Sequence, residues 1–276
     1  MTFYGLACYA LAKIRFPGFV PQPITLRSVN NWLSQFGDSK HKLLFTLLWH
    51  VQFVGREATR TALSTLNRGL LEHLAQAGIP PNRVVYIQTD EAGSSSPVML
   101  NMLRDADRLQ SLGCTLIDSK NEAKLLEVTY AMEEGAIVYV DDFAGSAKQF
   151  CESRDFVAQQ IVGKFVEFLL VPYICEEALD KLERRGIEYR ALQVHRKTER
   201  FLHPASKTSP GPIRGEITRL SAQVDKIQAL GYKNLGTMIV FAHNCPNTTP
   251  AILRGNRRQY PFVGILPGIR DLPPIL

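Results

Sequence analysis

Apolar residues recur every four positions over 56-REATRTALSTLNRGLLEHLAQAG-78, where Ala58, Ala62, Leu66, Leu70 and Leu74 form a stripe that Leu63 and Leu71 widen. That spacing predicts an amphipathic helix, and Gly78 with Pro80 and Pro81 supplies its stop. Upstream, 28-SVNNWLSQF-36 has helical periodicity, and the run 43-LLFTLLWHVQFV-54 suggests a buried helix too short to span a bilayer. Residues 1–26, with Pro17, Pro21 and Pro23 and little periodicity, suggest an irregular arm or a packing extension. Beyond residue 80 the pattern changes. Short β-branched or aromatic runs at 83–88, 114–118, 136–142, 164–174, 188–197 and 237–244 predict strands, several of them continuously apolar. Helical stretches at 97–113, 176–186 and 215–231 separate them, the last with Ile217, Leu220, Val224 and Ile227 as its stripe.

This alternation predicts an α/β fold with a mostly parallel central sheet, helices on both faces and a helical N-terminal region. The expected division is an N-terminal arm and helical region over 1–78 and an α/β domain with a C-terminal extension over 79–276. The segment 203-HPASKTSPGPIRG-215 is the one long irregular loop, and Trp32 and Trp49 are expected in the core.

Composition narrows the class. The 276 residues are 45% hydrophobic and 21% charged, as in ordinary globular proteins. No signal-peptide pattern opens the chain. The five cysteines, Cys8, Cys114, Cys151, Cys175 and Cys245, lack metal spacing and sit in apolar surroundings, which suits reduced, buried thiols in a cytoplasm. The net charge of +6 points to an anionic partner, a phosphorylated metabolite or a nucleic acid. No membrane partner is expected.

The chemistry concentrates in 136-AIVYVDDFAGSAKQF-150. Ligands of parallel sheets bind at the carboxyl ends of strands, where Asp141 and Asp142 are expected. The small-residue turn that follows opens a helix, whose free N–H groups and dipole suit a phosphate, and Ser146 adds a hydroxyl. Carboxylates repel phosphate, but they accept hydrogen bonds from sugar hydroxyls and hold magnesium through water. Cradle and carboxylates together describe a sugar-phosphate site.

Four apolar residues, two acidic ones and a small-residue loop opening a helix resemble the phosphoribosyl-pyrophosphate motif of type I phosphoribosyltransferases. The resemblance implies that Asp141 and Asp142 take the ribose hydroxyls and that Gly145, Ser146, Ala147, Lys148 and Gln149 take the 5-phosphate. Gly-Ser-Ala stands where that family usually has Thr-Thr-Gly. Four segments in order, 31-NWLSQF-36, VDDFAGSAKQF, 201-FLHPAS-206 and 245-CPNTTPAIL-253, are similar to the phosphoribosyltransferase-like effectors of bacterial conflict systems, including retron-associated ones. The pyrophosphate loop of the wider family corresponds to 89-TDEAGSSSP-97, with Gly93, Ser94, Ser95 and Ser96 to wrap a diphosphate. Asp90 and Glu91 stand there, without the basic residue often seen in that loop. The resemblance also implies Mg2+ carried by the substrate, no dedicated metal site, and Asn247 and Thr248 lining the base.

Each motif has a plainer reading. An Asp-Asp pair often caps a helix, and a serine triplet is often just loop. His195, Arg196, Lys197 and Arg200 suit a solvated charged edge as well as phosphate or nucleic-acid contact. In 254-RGNRRQY-260, Arg254, Arg257, Arg258 and Tyr260 suit a nucleic-acid backbone and stacking, or an exposed loop. Two functions stay open. One is a phosphoribosyltransferase-like effector in antiphage defence, acting at ribose C1 of a nucleotide or of phosphoribosyl pyrophosphate. It would be restrained by a partner such as a reverse transcriptase with its DNA–RNA, and the partners expected also include further copies of the chain as a homo-oligomer. The other is a non-catalytic nucleotide or nucleic-acid sensor or scaffold in such a complex. Nucleobase salvage fits less well, because the chain exceeds what a minimal salvage enzyme needs.

Overall fold

The structure is a computed structural model that describes residues 2–88, 95–256 and 262–272. The chain opens with three helices, α1 (Phe3–Arg15), α2 (Leu26–Ser34) and α3 (His41–Trp49), and a short strand, β1 (Gln52–Val54). The long helix α4 (Arg56–Gln76) follows. Two compact units form, one from residues 57–195 and one from 1–56 together with 196–276. These divisions fall elsewhere than the expected boundary at residue 78.

The first unit contains β2 (Val84–Gln88), α5 (Ser95–Asp107), β3 (Thr115–Asp118), α6 (Glu122–Met132), β4 (Glu134–Val140), β5 (Phe143–Ala144) and α7 (Lys148–Ala158). It continues through β6 (Lys164–Leu170), β7 (Tyr173–Cys175), α8 (Glu176–Glu183), β8 (Glu188–Arg190) and β9 (Gln193–His195). Five strands make one parallel sheet in the order β3-β2-β4-β6-β8. Successive residues of a strand face opposite sides, and here they feed two separate cores. Val85, Ile87, Ile137, Tyr139 and Leu169 pack with Leu125 of α6, Phe150 and Val157 of α7 and Leu182 of α8. Val84, Tyr86, Val138, Phe168 and Leu170 pack with Leu63 and Leu70 of α4 and Met99 and Leu103 of α5. Both faces are therefore covered, which is why the strands read as unbroken apolar runs.

Three of these strands break at a matching point. Val140, Leu170 and Arg190 are in register at the ends of β4, β6 and β8. Phe143, Tyr173 and Gln193 are in register in β5, β7 and β9, which form a second parallel sheet. Between them lie Asp141–Asp142, Val171–Pro172 and Ala191–Leu192. The runs 164–174 and 188–197, each expected as one strand, are thus two strands apiece. On the middle strand Pro172 has no N–H to donate, and its carbonyl accepts from the N–H groups of Leu192 and Gln193 at 3.0 and 3.1 Å.

The second unit adds α9 (Gly211–Val224), β10 (Ile239–Phe241), α10 (Ala251–Arg254), β11 (Gly255–Asn256) and β12 (Phe262–Val263). β1 pairs in parallel with β10, so segments from the two ends of the chain share one core. Trp32 is fully buried there, and its Nε1 donates to the Ile252 carbonyl at 2.8 Å.

Four expectations for this unit are corrected. Residues 2–26 pack on the core and are not an irregular arm: Thr2 Oγ1 caps α1 by accepting from Gly5 N at 3.1 Å, Cys8, Leu11 and Ala12 of α1 are in the core, and the prolines all follow the helix. The run 43–54 is not one buried helix, because α3 stops at Trp49 and Gln52–Val54 is drawn into the β10 pairing. Trp49 is 54% exposed instead of lying in the core. α9 ends at Val224, where Asp225 Oδ1 accepts from the N–H groups of Ile227 and Gln228, so Ile227 leaves the stripe and is exposed.

Candidate functional site

The sheet reverses its direction of growth between β2 and β4. The chain runs from β2 out to β3 on one side and returns to β4 on the other. Crossovers diverge at such a switch point and leave a crevice beyond the carboxyl ends of the two strands. Asp141 and Asp142 follow β4 at this place, and the segment after β2 ends where α5 begins at Ser95.

Hydrogen bonds tie the two sides together. Ser95 Oγ donates to Asp141 Oδ1 at 2.7 Å, and the same oxygen accepts from the N–H of Asp142 at 2.8 Å. Ser96 is buried, and its hydroxyl donates to the Val140 carbonyl at 2.7 Å. Asp141 N–H still donates to the Leu170 carbonyl at 3.1 Å, the last bond of the β4–β6 ladder. Asp141 is half-buried and Asp142 is buried.

After β5 the chain turns through Gly145 and Ser146, both half-buried, into Ala147. Ala147 has φ +49° and ψ +18°, a left-handed conformation that costs a non-glycine residue about 1 kcal/mol. Its Cβ is buried in the α6–α8 core, which anchors the turn. The N-cap position of α7 is Ala147, whose side chain makes no capping hydrogen bond. Lys148 and Gln149 are exposed there, with Lys148 Nζ 3.6 Å from Glu152 Oε1.

A ring cluster lies on the second sheet, and sequence periodicity gave no sign of it. The His195 ring sits 6.3 Å from that of Phe143 and 6.0 Å from that of Tyr173. Burial raises the Tyr173 hydroxyl above its usual pKa. Only the shared strand break, invisible in a local window, brings these three residues from separate strands together.

The remaining expected residues divide by unit. Ser95, Ser96, Asp141, Asp142 and 145–149 belong to residues 57–195, whereas Asn247, Thr248 and Arg254 belong to the other unit. Asn247 is exposed, and its carbonyl accepts from Tyr232 N–H at 2.8 Å. Thr248 is buried, its hydroxyl 2.6 Å from that of Thr237. Arg254 is largely buried, with Nε 3.6 Å from Asp271 Oδ2. Arg200 is also buried and donates to the Leu235 carbonyl at 2.9 Å, so it is no part of a solvated edge. Gly93, Ser94, Arg257, Arg258 and Tyr260 lie outside the described residues. Among the described residues no group of three His, Cys, Asp or Glu is arranged to hold a metal, and no helix is long and apolar enough to cross a membrane.

Comparison with known proteins gives a family and weak structural likenesses. No curated protein matches the chain. A hypothetical protein from Neisseria gonorrhoeae with bound ppGpp is 14% identical, with 53% of this chain and 85% of that one covered at a TM-score of 0.36. The orotate phosphoribosyltransferase from Aeropyrum pernix is 16% identical over 50% and 71% of the two chains, with a TM-score of 0.33. That from Mycobacterium tuberculosis H37Rv, in complex with inorganic phosphate, is 13% identical over 70% and 94%, with a TM-score of 0.31. Likeness at this level assigns neither ligand nor activity. The sequence model of one family, PRTase-CE, matches residues 29–267, a span that includes the switch point, both aspartates and the α7 turn. The chain therefore belongs to the PRTase-CE family, and its fold is phosphoribosyltransferase-like.

Proposed function

We propose that this protein is a phosphoribosyltransferase-like effector that binds a nucleotide or phosphoribosyl substrate at the β2–β4 switch point and reacts it at ribose C1. The observation that carries the reading is the position of Asp141 and Asp142 at the carboxyl end of β4 beside the switch point, followed by the turn that leads into α7. In this reading the two carboxylates accept hydrogen bonds from the ribose hydroxyls, and the N–H groups of 145–149 hold the 5-phosphate. Bond breaking at C1 builds positive charge on the sugar, and carboxylates near the ring favour that charge. Asp141 and Asp142, with hard carboxylate oxygens, are the residues that would hold a Mg2+ ion brought by the substrate. Bound in that way, the ion would neutralise a leaving diphosphate. The biological role proposed is cytoplasmic antiphage defence, with the activity restrained by a partner such as a reverse transcriptase and its DNA–RNA.

A second reading, binding without turnover, is favoured by the two described serines. Ser95 and Ser96, expected to wrap a diphosphate, use their hydroxyls on Asp141 and Val140. The test is purified protein with Mg2+, phosphoribosyl pyrophosphate and mixed nucleotides, followed by mass spectrometry. A ribosyl product or released base that disappears in Asp141→Asn/Asp142→Asn supports the enzyme. Tight nucleotide binding with no product from any substrate supports the second reading and rejects the first.

A further inference from the structure

The two units differ in charge far more than the total suggests. Residues 57–195 hold 14 Lys and Arg against 21 Asp and Glu, a net charge of −7. Residues 1–56 with 196–276 hold 18 against 5, a net charge of +13. The acidic unit carries the candidate site, whereas the basic one attracts polyanions.

Within the basic unit, the end of α3 presents two exposed rings beside cations. Trp49 is 54% exposed, and the Arg15 guanidinium lies 5.4 Å from its ring centroid. Arg15 is fixed there because its Nη2 donates to the Val51 carbonyl at 3.0 Å. His50, also exposed, stacks on Phe201 with centroids 4.0 Å apart and planes 19° from parallel. Phe201 directly follows a turn in which Arg200 N–H donates to the Arg196 carbonyl at 3.2 Å, and the Arg196 side chain is exposed. Lys13 on α1 and Lys42 on α3 are exposed, and these two helices pack together.

Exposed rings flanked by fixed cations match the needs of an unpaired strand, whose bases offer open faces and whose backbone offers phosphates. A duplex hides its base faces. An anionic bilayer fits less well, because the cations are spread over both chain segments of the unit instead of gathered on one amphipathic helix. We propose that this unit binds single-stranded nucleic acid, with phosphates on Arg15, Arg196, Lys13 and Lys42 and bases stacked on Trp49 and His50. The assignment gives the nucleic-acid partner of the proposed function a surface and rests on that reading only for the partner's class. It requires no chemistry at Asp141.

The test measures binding of the full chain to fluorescent oligo-dT and oligo-U of about 20 nucleotides, to a DNA duplex and to phosphatidylserine vesicles over a range of salt. The expected slope of log affinity against log salt is about −2 to −3 on single strands, at roughly 0.7 per neutralised phosphate. Trp49→Ala should weaken binding roughly tenfold. Arg196→Ala should flatten the slope by about 0.7. Asp141→Asn/Asp142→Asn should bind as the unaltered chain does, so loss of turnover and loss of binding are read separately. The proposal is overturned by an absence of salt-sensitive affinity for single strands. It is equally overturned if both Trp49→Ala and Arg196→Ala bind normally, or if vesicles retain the protein while oligonucleotides do not.

Discussion

The hydrogen bond between Ser95 and Asp141 makes a sharp test of how the switch point is held. Ser95→Ala removes one bond to a charged acceptor. Such a bond is worth about 1.5–3 kcal/mol when sheltered, and half-burial of Ser95 brings it to roughly 1 kcal/mol. Asp141→Ala takes the acceptor from two donors, Ser95 Oγ and Asp142 N–H, and should cost about 2–3 kcal/mol. Once Asp141 is gone, truncating Ser95 removes little more. The double variant should therefore cost about what Asp141→Ala costs alone, with a coupling of roughly 1 kcal/mol. The choice of probe matters. Both tryptophans, Trp32 and Trp49, belong to the other unit, so tryptophan fluorescence does not report directly on this one. Native-state hydrogen exchange at β2 and β4 amides reads the unit concerned. Additive single changes, within about 0.5 kcal/mol, would show that the two residues do not act together and would refute the tie.

Other expectations follow from the same geometry. Gly163 has φ +110°, and a Cβ there would lie 2.2 Å from the Glu133 carbonyl oxygen. Gly163→Ala should cost roughly 2–4 kcal/mol, visible as faster exchange across β4 and β6. His50 has its pKa lowered by partial desolvation, one face of its ring lying on Phe201, and then by the charge of Arg15. The unfolded chain therefore binds the proton more readily, and the stability of the basic unit should fall as pH drops below about 6.5 toward the folded value. Tryptophan-monitored melting should record this, and His50→Phe, which keeps a ring on Phe201, should flatten it; an unchanged pH dependence would reject the assignment. All five cysteines are buried, and burial pushes Cys8 and Cys245 up to about 12 and Cys114 up to about 11. Iodoacetamide near pH 8 should leave these three thiols unmodified until denaturant is added, and rapid labelling of the native chain would contradict their placement.

The sequence determined what depends on near neighbours along the chain. The four-residue period of 56–78 and the continuous apolar runs of β2 and β4 declare a helix and two-sided strands, because their burial repeats with the element's own period. The carboxylate pair was legible too, since it interrupts an apolar run at Val140 and small residues follow. Only the tertiary structure decided the rest. Gln52–Val54 is a strand because β10 arrives from nearly two hundred residues away to pair with it. The runs at 164–174 and 188–197 split where three neighbouring strands break in register; Pro172 marks one break, but the matching ones at 141–142 and 191–192 hold no proline and belong to the sheet. Ser95 meets Asp141 because the sheet changes direction between β2 and β4. A net charge of +6 concealed −7 and +13 because the chain's two ends fold into one unit, and composition sums over units that only long-range contacts define.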